Sequence, residues 1–212
     1  MTRRVALVAA MLIAPTAAAA QTGEPVSLQG FAMAGVSFFT ASQSFDAILN
    51  THSGPIFGGG LRLIIPGGPY LEVGAWRFSA DGERAFVGAN QEVFPLGIPT
   101  TVRMTPLEIT GGWRFRGLLG RRVTPYLGGG FTSLRYEETA EFAADDEDVS
   151  DRFNGFHLAG GAELRLGRWV ALTGDIMWTS IGDAIGTAGV AEVFEEDDLG
   201  GTSVRIRLIL GR

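Results

Sequence analysis

The chain of 212 residues has no cysteine, which excludes disulfides, thiol catalysis, cysteine-based metal sites and a lipid anchor on an N-terminal cysteine. It has no lysine either, and all seventeen of its basic residues are arginine. Histidine occurs twice, at His52 and His157, and two distant histidines are a weak basis for zinc. Past residue 20 no stretch has the roughly 20 consecutive apolar residues of a membrane-spanning helix. A membrane-embedded form would therefore have to be a closed β-barrel, the other structure that satisfies its own backbone in lipid.

The first twenty residues read as a leader. Arg3 and Arg4 precede a ten-residue apolar run from Val5 to Ala14, Pro15 breaks it, and Ala18-Ala19-Ala20 supplies small residues before Gln21. That order is expected of a cleavable secretory signal. Residues 21–212 are then a single domain by length. Glycine is abundant at 31 residues and mean hydropathy is positive, yet no segment of that domain is continuously apolar.

Turn signals and two-residue alternation divide this domain into eight strands. The expected strands are Leu28–Phe39, Pro55–Ile65, Pro69–Ser79, Thr100–Phe115, Thr124–Glu138, Gly155–Leu166, Arg168–Ile181 and Gly201–Leu210. Most match or exceed the 9 to 11 residues of a membrane-crossing strand, whereas soluble strands average about 5 to 6. Pro66-Gly67-Gly68, Arg116–Val123 and Gly167 make short connections. Thr40–Gly54, Ala80–Pro99, Thr139–Asn154 and Gly182–Gly200 make long ones. Short turns at one end and long loops at the other are the layout of an up-and-down transmembrane barrel. The first strand alternates poorly, and its limits are soft.

Alternation is clearest late in the chain. Val204, Ile206, Leu208 and Leu210 oppose Ser203, Arg205 and Arg207. The polar face is expected to point inward and to carry Arg62, Glu72, Glu108, Arg135, Glu137, Glu163, Arg165, Asp175, Arg205 and Arg207. That is five charges of each sign, as a narrow lumen of paired charges requires. Arg77 and Arg103 fall on the apolar phase near the long-loop ends, where they are expected to meet lipopolysaccharide phosphates. Aromatics gather at both strand ends: Tyr70, Trp113, Phe115, Tyr126 and Trp169 beside the short turns, and Phe38, Phe39, Phe57, Trp76, Phe78, Tyr136, Phe156 and Trp178 beside the long loops. Two such belts fit the interfaces of a bilayer.

Thr124-Pro125-Tyr126-Leu127-Gly128-Gly129-Gly130 enters one strand, and Gly160-Gly161-Ala162-Glu163-Leu164-Arg165-Leu166 runs into the turn before Arg168-Trp169. On these residues the chain resembles the OmpA/OmpX-like small barrels and the porin-family outer membrane β-barrel domain proteins. The resemblance implies an integral outer-membrane protein of a diderm bacterium, inserted by the outer-membrane assembly machinery and holding no cofactor. Such proteins usually end on an aromatic residue, whereas this chain ends Leu208-Ile209-Leu210-Gly211-Arg212.

Other motifs carry little. The runs Gly58-Gly59-Gly60 and Gly128-Gly129-Gly130 lack the Gly-Lys-Ser/Thr step and helix of a phosphate loop, and glycine inside a strand eases the bend of a tight barrel. No serine lies within two residues of His157 to form a nucleophile-base pair. Asp145-Asp146-Glu147-Asp148 and Glu195-Glu196-Asp197-Asp198 lack the spacing of a calcium loop and read as a solvated acidic surface. The long loops hold sixteen acids against Arg84 and Arg152, a field that disfavours nucleic acid and other polyanions. The resulting expectation is a monomeric, non-enzymatic eight-stranded antiparallel barrel contacting outer-membrane lipid. It would have a structural, adhesive or minor-permeability role, with no catalytic, cofactor or metal site. A periplasmic lipocalin-like carrier of an apolar ligand and a lipid-modifying barrel enzyme stand as alternatives.

Overall fold

A computed structural model describes residues 25–88, 92–120, 122–140, 149–185 and 189–211. The expected leader, residues 1–20, and the acidic run 145–148 lie outside them. Eight antiparallel strands pair in sequence order, and the last pairs with the first. They are β1 (Ser27–Phe39), β2 (Ser53–Ile64), β3 (Pro69–Val87), β4 (Val93–Arg114), β5 (Val123–Ala140), β6 (Val149–Arg165), β7 (Val170–Ser180) and β8 (Gly201–Gly211). Two helices, α1 (Ser42–Leu49) and α2 (Gly189–Phe194), interrupt the first and last long connections. Closure leaves no strand edge unpaired along the barrel wall.

The register is staggered. A circuit leaving β1 at Gln29 passes through Arg62, Glu72, Thr110, Gly130, His157, Thr179 and Gly201 and re-enters β1 at Phe39, ten residues further along. Such a stagger tilts the strands about the barrel axis and leaves an interior that side chains fill. The expected loop Ala80–Pro99 is largely strand, and so are the described ends of Thr139–Asn154. β3 and β4 extend as a ribbon to Val87 and from Val93, and β5 and β6 reach Ala140 and Val149. The inner face there packs on α1 and the apolar core through Ala80, Gly82 and Phe153, while the outer face carries Asp81 and Glu83, so the simple polar-in, apolar-out alternation is lost.

The two faces are inverted relative to a soluble barrel. Leu28, Leu61, Leu107, Leu127, Leu158, Ile176 and Ile206 are exposed outward, while Arg62, Arg205 and Arg207 are almost wholly buried. A lipocalin-like barrel lines its lumen with apolar groups instead, so that alternative has its faces reversed. Among the described residues no helix is long and apolar enough to cross a membrane. Of the aromatics expected in belts, Trp113, Phe115, Trp169, Phe38, Phe57, Phe156 and Trp178 do face outward. Tyr70, Tyr126, Phe39, Trp76 and Phe78 are buried in the lumen instead.

That inward set explains the weak alternation of β1. Phe31, Met33 and Phe39 point into the lumen from β1, so both of its faces are apolar. Glycine makes room for the inward aromatics. A Cβ on Gly128 would clash with the Tyr70 hydroxyl, and one on Gly112 would lie 2.6 Å from the Tyr70 ring.

The acidic run at 195–198 is not simply solvated. Glu196 accepts from the backbone N–H groups of Gln43 and Ser44 at 3.0 and 2.8 Å, capping α1 from across the mouth. Asp198 accepts from Ser180 Oγ and from the N–H groups of Ile181 and Gly200. The first helical turn has N–H groups with no partner in the helix, and α1 has no side-chain cap of its own. Glu196→Ala is therefore expected to cost about 1 kcal/mol of helix docking. Limited proteolysis within residues 40–54 should accelerate while the melting of the barrel stays unchanged; equal cleavage rates would contradict this capping role.

Candidate functional site

The lumen is where the sequence concentrates its chemistry, and it has two storeys. In the lower storey four arginines and four carboxylates form one unbranched chain of alternating sign. Arg114 donates to Glu163 at 2.7 Å, and Arg62 reaches the other oxygen of Glu163 at 3.3 Å. Arg62 Nε donates to Glu72 at 2.7 Å, and Arg207 donates to the second Glu72 oxygen at 2.6 Å. Arg207 also pairs with Asp175, which accepts from Arg205 Nε at 2.7 Å. Arg205 then reaches Glu108 at 3.1 Å, and Glu108 accepts from Trp76 Nε1 at 2.6 Å. Every charged member is less than a tenth exposed.

These pairs span strands far apart in register: β8 to β3 and β4, and β6 to β2 and β4. They therefore tie opposite walls together through the centre. The guanidinium fork makes this possible, since each arginine can serve two carboxylates from one plane. Two tyrosines complete the packing. Arg62 lies 5.2 and 5.3 Å from the ring centroids of Tyr70 and Tyr126, and the Tyr126 hydroxyl accepts from Arg207 and donates to Asp175.

The expected charge set is corrected at three positions. Arg135 and Glu137 do not face the lumen; they pair with each other at 2.8 Å on the outer face, with the Arg135 side chain 54% exposed. On β5 the inward phase is carried by Tyr126, Thr132 and Leu134, so the odd-numbered positions point out. Arg165 keeps the inward phase but stands exposed at the short-turn mouth, below the chain of pairs. Arg114 was missed. It shares the even phase of Glu108 and Thr110 on β4, the signal that could have found it.

The upper storey is apolar. Phe39, Ile56, Phe78, Val102, Met104, Leu134 and Leu199 pack together, with Phe45 and Leu49 of α1 pressed down on them. Between the storeys sits His157, whose Nε2 and Nδ1 each lie 2.8 Å from a threonine hydroxyl, Thr110 and Thr132. His52 is exposed beside Asp46 at 2.9 Å. Among the described residues no cluster of three or more histidine, aspartate or glutamate side chains could hold a metal ion.

Outside, Arg77 and Arg103 do lie on the exposed face, and Arg135 and Arg152 extend them into a row. Arg77 stands opposite Phe57, Arg103 opposite Glu137, and Arg135 directly opposite Arg152. The row crosses four adjacent strands at the level of the upper aromatics. Asp81 and Glu137 are the carboxylates beside it, and Asp81 accepts from Thr101 at 2.7 Å.

A closed eight-stranded barrel with an apolar exterior and a paired polar lumen matches a known family. The profile of the outer membrane protein beta-barrel domain fits residues 5–208. The chain belongs to that family. Among solved structures, this outer membrane β-barrel resembles the N-terminal β-barrel domain of OprF from Pseudomonas aeruginosa, with a TM-score of 0.51 and 9% identity over 87% of this chain and 97% of that one. Neisserial surface protein A is similar at a TM-score of 0.52 and 12% identity, over 87% and 96%. At such identities the likeness is one of fold. A search of curated protein sequences finds no match.

Proposed function

We propose that this outer membrane β-barrel is a closed, non-catalytic monomer with a structural or adhesive role at the cell surface, held in the outer leaflet by contacts between its outward arginines and lipopolysaccharide phosphates. The observation that carries the reading is the sealed chain from Arg114 to Glu108, capped by the apolar storey beneath α1. With four arginines answered by four carboxylates, the lumen has neither an open path nor a single-sign field to conduct ions selectively. His157 supports the non-catalytic reading, since it lies at 1% exposure between two threonines, closed off from lipid on the outer face. Export through the leader 1–20 and insertion by the outer-membrane assembly machinery belong to the same reading, with the long connections outward. Planar-bilayer recording of the refolded protein tests it. No steps above baseline are expected, whereas large, stable single-channel steps would refute the closed lumen and move the function to transport.

A further inference from the structure

We propose that the outward end of the lumen is a binding site for a small amphiphile with an apolar body and a cationic head. Above the apolar storey a cavity of about 510 Å³ opens toward the long-connection side. That volume falls in the range of about 300 to 1,000 Å³ typical of small-molecule sites. Its walls come from all around the barrel: Phe45 and Ile48 of α1, Val102 of β4, Phe153 of β6, Val190 of α2, and Leu199 before β8. These groups form an apolar cup that faces the outer solution rather than the membrane. An apolar concavity with a few converging polar groups is the usual form of a small-molecule site.

The polar groups specify the head. Glu138 and Asp151 line the cavity with Arg84, so two carboxylates stand against one guanidinium. The Tyr136 hydroxyl donates to Glu138 at 3.2 Å and fixes that carboxylate at the wall. Ser44 also lines the cup; it is 5% exposed, and its hydroxyl oxygen is buried with no hydrogen-bond partner. The surplus negative charge selects a cation over an anion.

The test uses the full chain refolded in phosphatidylcholine nanodiscs with labelled methyl groups, titrated with octylammonium and, separately, with octanoate. Octylammonium is expected to shift the methyls of Ile48, Leu49, Val102 and Leu199 saturably, at an affinity at least fivefold above that of octanoate. Glu138→Gln with Asp151→Asn should bring the two probes within twofold while octylammonium still binds. Ala184→Phe, which fills the cup, should weaken binding at least tenfold with the heat-dependent gel shift of the folded barrel retained. Ile48→Trp serves the same purpose if Ala184→Phe fails to fold. Shifts that never saturate, that appear only at lipid-facing Leu127 and Ile176, or that survive the filling substitution would overturn the site. Equal affinity for octanoate in the unaltered protein would overturn the cationic head.

Discussion

Replacing Asp175 with asparagine is expected to destabilise the barrel by about 3 to 5 kcal/mol, the cost of leaving a buried charge unpaired. Asp175 sits in the middle of the chain of pairs with a fully buried side chain. It accepts from Arg205, pairs with Arg207 and receives the Tyr126 hydroxyl. Asparagine keeps the shape and removes the charge, so two guanidiniums would face each other with one carboxylate fewer. The site is left with one uncompensated positive charge, but each arginine keeps another partner, Glu108 and Glu72, which puts the expected loss at the lower end of that range. Arg114→Gln at the lower end should cost less, because Arg114 borders a wide opening shared with Arg116 and Arg165 that water can enter. Urea unfolding of the two variants in lipid vesicles, read by tryptophan fluorescence and by the heat-dependent gel shift, measures both. A loss under about 1 kcal/mol for Asp175→Asn would place the pairs in the regime of solvent-exposed ion pairs and refute a dry lumen.

Such a network is weak evidence for stability in itself, since well-packed apolar groups of the same volume can do as well. Its effect is better understood as register. A slip of one residue would turn every inward charge of a strand out toward lipid. In β8 that slip would carry Arg205 and Arg207 to the outer face, where an arginine near the bilayer midplane costs about 2 to 4 kcal/mol. The alternating chain therefore ties each of β2, β3, β4, β6, β7 and β8 to one alignment.

What the sequence made legible follows from where two-residue alternation is strict. β7 and β8 are polar on one face and apolar on the other, so the phase that Asp175, Arg205 and Arg207 share is readable from alternation alone. β5 misled because its phase was anchored on charge. The charge of Arg135 and Glu137 suggests the inward face, yet Thr132 and Leu134 take it, and past Phe131 the outer face of β5 is charged, so charge there carries no phase information. The inward aromatics Tyr70, Tyr126, Trp76 and Phe78 went unrecognised for a related reason. Proximity to a strand end suits an interfacial aromatic, and it suits equally one that packs in the lumen over glycine. The cup could not be foreseen, because its walls come from α1, α2 and four strands that only closure brings together.

Converting Arg77, Arg103, Arg135 and Arg152 together to glutamine is expected to remove most copurifying lipopolysaccharide while the barrel folds normally. All four are exposed on the outer face of β3 to β6, and Arg135 stands directly opposite Arg152. Like charges directly opposite on a sheet are destabilising, and Glu137, which pairs with Arg135, is one carboxylate beside two guanidiniums. The described outward positions of β7, β8, β1 and β2 carry no charged residue, which makes the row one-sided. Its height beside Phe57, near the long-connection ends of the strands, keeps the cost of each outward arginine to about 0 to 1 kcal/mol, and on the proposed reading the guanidiniums meet headgroup phosphates there. Arginine binds phosphate through two parallel hydrogen bonds. With each charge-assisted contact contributing about 1.5 to 3 kcal/mol before screening, losing the row should lower retained lipid by about tenfold or more. Asp81→Asn with Glu137→Gln should act oppositely, raising retention by freeing the row of its two carboxylates. Quantifying lipopolysaccharide phosphate in protein purified at low and at high salt separates the cases. Retention that is unchanged in the four-fold variant, or indifferent to salt, would sink the phosphate contact and leave the row as solvent-facing charge.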